Sequence, residues 1–243
     1  MTDTSPNSQE LLHKGIAKLA LSAQSEFDDA ADYVWKAPRL VDHERKLELK
    51  KLDDYFPNPS EFRERRWEHE SRKLEHTFPY MIAVGNVLST VSLFESYLVL
   101  LANEVKPYTS VNLQAIKGRG VGRLFSYFRA VGAFPDRLSL WEQIQAAIKI
   151  RNCLAHASGM LDWSRDKDEI RRIHAHAIYL SPDHRRLRTE RNRKPDEVVL
   201  GDSPLGERLG VTNKYAHLLC SYTRDYYIGL CNAVLTASTH RRR

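Results

Sequence analysis

The chain has 243 residues, 42% of them apolar and 28% charged, which excludes a disordered chain and gives enough length to bury a core without staples. Its net charge of +6 and pI near 9.2 are compatible with an anionic partner, RNA included, without specifying one. Three cysteines (Cys153, Cys220, Cys231) exclude a disulfide framework and lack Cys-x-x-Cys spacing, so the reading is a reducing, cytoplasmic compartment.

The polar start, Met1-Thr2-Asp3-Thr4-Ser5-Pro6, has no signal pattern. Leu12, Ile16, Leu19 and Ala20 recur at helical spacing, predicting a helix over Gln9–Ser25 that Phe27–Trp35 extends or follows. Pro38 breaks the pattern, and Leu40–Tyr55 reads as a charged, weakly amphipathic helix. In Pro57-Asn58-Pro59, Asn58 is placed to cap the next helix, with Pro59 at its first position. Glu61–His76 carries opposite charges at helical neighbour spacing, as a solvated helix does.

Pro79–Val105 is apolar nearly all round, the mark of a central bundle helix. Tyr80–Ala102 is long enough to span a bilayer, but Asn86, Glu95 and the lack of basic flanks favour a buried core helix, and no membrane partner is expected. Gly118-Arg119-Gly120-Val121-Gly122-Arg123 has no preceding strand and no following Gly-Lys-Ser/Thr. It reads as a turn before a short helix over Leu124–Val131, with a phosphate-contacting loop as second reading. Ser139 and Glu142 form a capping-box pattern ahead of the next helix, which Gly159 is placed to end.

Arg165–Lys194 holds ten Lys or Arg against five Asp or Glu. His174–Leu180 and Glu197–Leu200 read as two short strands, a hairpin over about 174–201, with the basic run Arg185–Lys194 as the long loop between them. His174 and His176 would share a strand face, but no third ligand is evident, so no metal and no other cofactor is expected. Asn213–Thr236 is the last predicted helix, and the tail His240-Arg241-Arg242-Arg243 adds charge.

The chemistry concentrates at one helix end. Leu140, Ile144, Ala147 and Ile148 define an apolar stripe, and Arg151 falls on it, three residues past Ile148 and four past Ala147. A guanidinium there needs a partner. Asn152 and His156, four apart, share a neighbouring face, and Arg151 and His156 are about 140° apart around an ideal helix, flanking one groove. Such a trio suits RNA phosphodiester cleavage. Histidine moves a proton near neutral pH, guanidinium steadies the crowded phosphate, and the 2′-hydroxyl supplies the nucleophile. The competing reading is a buried Arg151–Glu95 ion pair, with His156 merely at a helix end.

Arg151-Asn152-Cys153-Leu154-Ala155-His156 resembles the R-x4-H motif of HEPN domains in its form with a polar residue after the arginine. Ser92-Leu93-Phe94-Glu95-Ser96-Tyr97-Leu98 is similar to the core helix that precedes the motif in that family. The likeness runs over roughly Pro79–Ser238. It implies a mainly α fold, a HEPN-like helical bundle over 78–240 with a small β-hairpin insertion before the last helix, after an N-terminal helical extension over 1–77. It implies a homodimer joined through the motif helices, whose two motifs form one composite cleft, and metal-independent RNA cleavage leaving a cyclic phosphate, in toxin–antitoxin or anti-phage settings where an antitoxin or defence protein is a partner. By position, Arg151 and His156 are the catalytic pair, Asn152 the polar support, and Glu95 the group orienting the arginine. RNA contacts are expected from Arg119, Arg123, Arg185, Arg186 and Arg188. Members modified by a nucleotidyltransferase antitoxin carry a tyrosine two residues past the histidine. Ser158 stands there, which argues against that regulation. The alternative function is a non-catalytic HEPN-like module that binds nucleic acid or a protein.

Overall fold

One stripe, Leu12, Ile16, Ala23, Phe27 and Val34, is buried along helix α1 (Pro6–Lys36) in the computed structural model, which describes residues 6–240. Nothing interrupts the stripe near Ser25, so the two expected segments are one helix. Residues 1–5 and the Arg241–Arg243 tail lie outside the described residues. Helix α2 (Pro38–Tyr55) follows after Ala37, with Pro38 at a first-turn position where its missing N–H costs nothing.

Helix α3 (Glu61–Arg72) buries no residue and is laced by its own charges, as its sequence predicts. Its cap is Ser60, whose hydroxyl accepts from the Arg63 N–H at 3.2 Å, rather than Asn58, because the helix begins two residues later than Pro59 suggests. A π-helical turn, Lys73–Thr77, then joins α3 to α4 (Phe78–Val105) without a break. The expected division at 77/78 therefore falls inside a continuous helix. Nor is the N-terminal region an appendage: Leu12, Ile16 and Phe27 of α1 share a cluster with Phe94, Leu98 and Tyr227.

Helix α4 is long and apolar enough to cross a membrane by length and composition, and its inner face, from Ala83 to Val105, is buried among the other helices. It packs on α1 and on α9 (Asn213–His240), the last helix. Helices α1 and α9 also pack against each other, tied by an Asp28–Arg224 ion pair and by the Asn213 amide donating to the Val34 carbonyl.

Helix α5 (Gly120–Val131) starts four residues earlier than its apolar run, within the glycine-rich turn. Helix α6 is Trp141–His156. Its N-cap is Leu140 at φ +66°, with no side-chain cap bond, so Ser139 sits one residue too early for the expected capping box. Two short helices follow, α7 (Lys167–Ala175) and α8 (Pro182–Glu190).

Here the expectation fails. His174–Leu180 is a helix end followed by turns, and the Arg-rich segment is α8, started by Ser181, whose hydroxyl accepts from the His184 N–H at 3.3 Å. The hairpin lies downstream, β1 (Val198–Ser203) antiparallel to β2 (Gly206–Val211), with Val198 opposite Val211 and Ser203 opposite Gly206. His174, on α7, and His176, its C-cap, share no strand face.

Candidate active site

Helix α6 presents Gln143, Ile144, Ala146, Ala147, Ile150, Cys153 and Leu154 to the core, so Ile144 and Ala147 of the expected stripe are buried. Leu140 and Ile148 are only partly covered, so the buried face is rotated from the stripe read in the sequence. The Gln143 amide locks this face by donating to the carbonyls of Ile178 and Leu180, each at 3.0 Å. Burial pushes the Cys153 thiol up, which makes it packing and not a nucleophile.

Arg151 stands at the edge of the buried face, its side chain 19% exposed. There its Nη2 donates to the Glu95 carboxylate of α4 at 3.1 Å. Its Nε–H is buried without a hydrogen-bond partner. A single bond from a guanidinium leaves most of its fork uncommitted. Asn152 is half-buried, and His156, the last residue of α6, is exposed; neither side chain has a hydrogen-bond partner among the described residues.

The end of α6 is fixed from outside. The Ala157 and Gly159 N–H groups both donate to the Cys153 carbonyl, at 3.0 and 3.1 Å, and Ser158 and Gly159 have φ of +50° and +79°. The Leu209 N–H of β2 then donates to the Gly159 carbonyl at 2.7 Å. A Cβ on Gly159 would lie 2.8 Å from the Leu209 carbonyl oxygen, so only glycine permits this approach. Arg208 of β2 stacks over the Tyr80 ring, 4.8 Å from its centroid, and donates to its hydroxyl at 3.1 Å. Thus α4, α6 and the hairpin meet where the motif helix ends.

The glycine-rich turn also reaches this region, which the sequence reading missed. A Cβ on Gly120 would lie 3.3 Å from a Glu95 carboxylate oxygen, so the start of α5 rests against the partner of Arg151. The signal was the unexplained glycine spacing itself.

The expected RNA contacts divide. Arg119 is exposed at the start of α5 and forms no ion pair among the described residues. The Arg123 fork is spent on the Leu113 carbonyl, at 3.2 Å from Nε and 2.8 Å from Nη2, pinning the preceding loop. Arg185 is half-buried and free of ion pairs among the described residues. Arg186 lies 3.4 Å from Asp183 and 3.7 Å from Glu190 along α8. Arg188 is committed to the fully buried Glu197 through both Nε and Nη2. None of the bonds made by these arginines reaches Arg151, Asn152 or His156. The structure therefore joins Arg151, Glu95 and the Gly120 turn, and leaves α8 as a separate basic surface.

No family model, no curated protein and no solved structure matches the chain.

Proposed function

We propose that the chain is a metal-independent endoribonuclease of HEPN type, a homodimer acting as a toxin or anti-phage effector in the cytoplasm. The observation that carries this reading is Arg151 held by one bond to Glu95, at the edge of the core, five residues before an exposed His156 with no hydrogen-bond partner among the described residues. A guanidinium fixed at one corner keeps donors for a phosphate, and an imidazole with no protein partner is free to move a proton.

In the proposed reaction the ribose 2′-oxygen attacks the adjacent phosphorus and the bond to the 5′-oxygen breaks. The products are a 2′,3′-cyclic phosphate and a 5′-hydroxyl. One proton leaves the 2′-hydroxyl and one arrives on the 5′-oxygen. One His156 can do either, so the two histidines of a dimer cover both steps. Arg151 stabilises charge on the non-bridging oxygens, Glu95 positions Arg151, and Asn152 offers an amide beside them. Arg119 is the nearest expected source of further backbone contacts, on the turn that rests on Glu95.

The test is cleavage of single-stranded RNA in the presence of chelator. His156→Ala and Arg151→Ala should each lower the rate by about 10²–10⁴-fold, with Tm little changed for the exposed His156. Undiminished cleavage by His156→Ala sinks the mechanism.

A second reading is a non-catalytic helical module binding nucleic acid or a protein. It is favoured by the same ion pair, since Arg151–Glu95 by itself gives the arginine a structural reason to exist. It expects no cleavage by the wild type and a loss of stability or binding in Arg151→Ala.

A further inference from the structure

The solvent side of α4 is unlike any other surface of the molecule. Its exposed positions run Phe78, Pro79, Met81, Gly85, Ser89, Ser92, Ser96, Val99 and Leu100, then Asn103, and no exposed position on this helix carries a charge. Seven turns of uncharged helix, about 40 Å by the α-helical rise, are left open on a chain that is 28% charged. Bulky side chains stand at the two ends, Met81 62% and Leu100 47% exposed, while small ones fill the middle.

The order of these residues reads the same in both directions. Met81, Gly85, Ser89, Ser92, Ser96 and Leu100 are spaced by four, four, three, four and four residues, symmetric about the point between Thr90 and Val91. Turned end for end on a copy of itself, the stripe sets Met81 opposite Leu100, Gly85 opposite Ser96 and Ser89 opposite Ser92. Small faces small where backbones must approach, and bulky apolar faces bulky apolar at the ends. That is the self-complementarity a two-fold interface requires. The polar atoms in the middle are already provided for. The Ser92 hydroxyl donates to the Leu88 carbonyl at 2.8 Å and the Ser96 hydroxyl to the Ser92 carbonyl at 3.0 Å, so covering these two orphans no donor, while the Ser89 hydroxyl, opposite Ser92 of the copy, meets an acceptor there. A groove of about 560 Å³ between α1 and α4, edged by Tyr33, Met81 and Gly85, adjoins the stripe and gives large side chains room.

We infer that the occupant of this face is a second copy of the chain, packed through antiparallel α4 helices centred between residues 90 and 91. The inference stands on α4 alone. Where it rests on the ribonuclease reading, it adds a geometry: Glu95 and Glu95 of the partner subunit lie about 14 Å apart along the helix axis, on the same side of the seam, because a two-fold normal to the helix pair keeps that side common. Two Arg151 groups then border one cleft.

Gly85→Arg tests the seam without disturbing the protomer, since a Cβ at Gly85 meets no atom within 4 Å. Light scattering should give a dimer for the wild type and, for Gly85→Arg, a monomer with unchanged helical circular dichroism whose Tm no longer depends on protein concentration. The register is read by disulfide cross-linking, with Cys153, Cys220 and Cys231 buried and out of play. Mixed Gly85→Cys and Ser96→Cys chains should cross-link, and neither should link to itself. A monomeric wild type overturns the inference, as does a dimer indifferent to Gly85→Arg or self-linking of Gly85→Cys without the mixed pair. Flotation of a monomeric wild type with phosphatidylcholine vesicles assigns the face to lipid and also overturns it. A dimer with this register that cuts no RNA supports the seam and counts against the ribonuclease reading.

Discussion

Two of the molecule's arginine–glutamate pairs, Arg188–Glu197 and Arg151–Glu95, are built differently. Arg188 and Glu197, joining α8 to the start of the hairpin, form a closed unit. The carboxylate is fully buried, receives two donors of the guanidinium on one oxygen and accepts the Asp196 N–H at 3.1 Å on the other. Arg151 and Glu95, joining α6 to α4, share one bond, with side chains 19% and 32% exposed, and leave a buried Nε–H unmatched. In the first pair both carboxylate oxygens are bonded within the fold and the arginine gives it both Nε and Nη2. The second retains donors beside an open surface, which is what a phosphate-binding arginine requires. Charge type and composition are the same in the two pairs; saturation separates a strut from a candidate site.

Alkali should collapse the frame around both pairs, and this is the largest effect expected. Burial pushes the phenol of Tyr179 and the thiol of Cys231 up to about 12 each, and drives Cys220, Tyr215, Tyr226 and Tyr227 up as well. Groups whose folded-state pKa is raised give stability that is whole below their unfolded values, about 9 for cysteine and 10 for tyrosine, and that is lost as pH climbs through the folded ones. Helical circular dichroism should hold to about pH 9 and fall steeply by about pH 12; a flat trace over that range contradicts the buried core. Next in size is Arg188→Ala, which strands a buried carboxylate and should cost about 3–5 kcal/mol in denaturant unfolding. Gly159→Ala forces a Cβ toward the Leu209 carbonyl at positive φ and should cost about 1–3 kcal/mol, with the α6–hairpin junction losing hydrogen-exchange protection first. Glu95→Gln should barely register in stability, under about 1 kcal/mol, because the pair is part-exposed. It should nonetheless slow RNA cleavage at least about tenfold through a mispositioned Arg151. If Glu95→Gln destabilises as much as Arg188→Ala and leaves cleavage untouched, the contrast between the two pairs disappears.

Much of the helical frame was legible in the sequence because its periodicity is strong. Helices α4 and α6 lie where apolar spacing and Gly159 put them. The phase of α6 was harder. Leu140 and Ile148 are large and apolar, yet the core side is completed by Gln143, Cys153 and three small or apolar neighbours, so Arg151 lies at the edge of the buried face and not within it. Helix α8 was hidden because its arginines carry no apolar stripe, although Ser181 and Pro182 spelled a helix start. The hairpin was misplaced because β2 holds Gly206 and Gly210, poor strand formers, while His174–Leu180 looks more strand-like than it is. For the candidate site, Arg151, Glu95 and His156 could be named from motif and spacing, but which arginines are committed elsewhere could not. Arg123 and Arg188 find their partners only through the tertiary fold.

The packing of α1 on α9 has a consequence for the chain as it is synthesised. Asp28 and Arg224 are 196 residues apart, and the Val34 carbonyl waits for Asn213, so the buried stripe of α1 can meet α4 early but stays open on its α9 side until α9 leaves the ribosome. The motif helix is emitted some fifty residues before the strand that anchors its end at Gly159. Completion of this core therefore waits until α9 has been made, and a chain halted before α9 carries the motif without the scaffold that holds Arg151 and His156 in register.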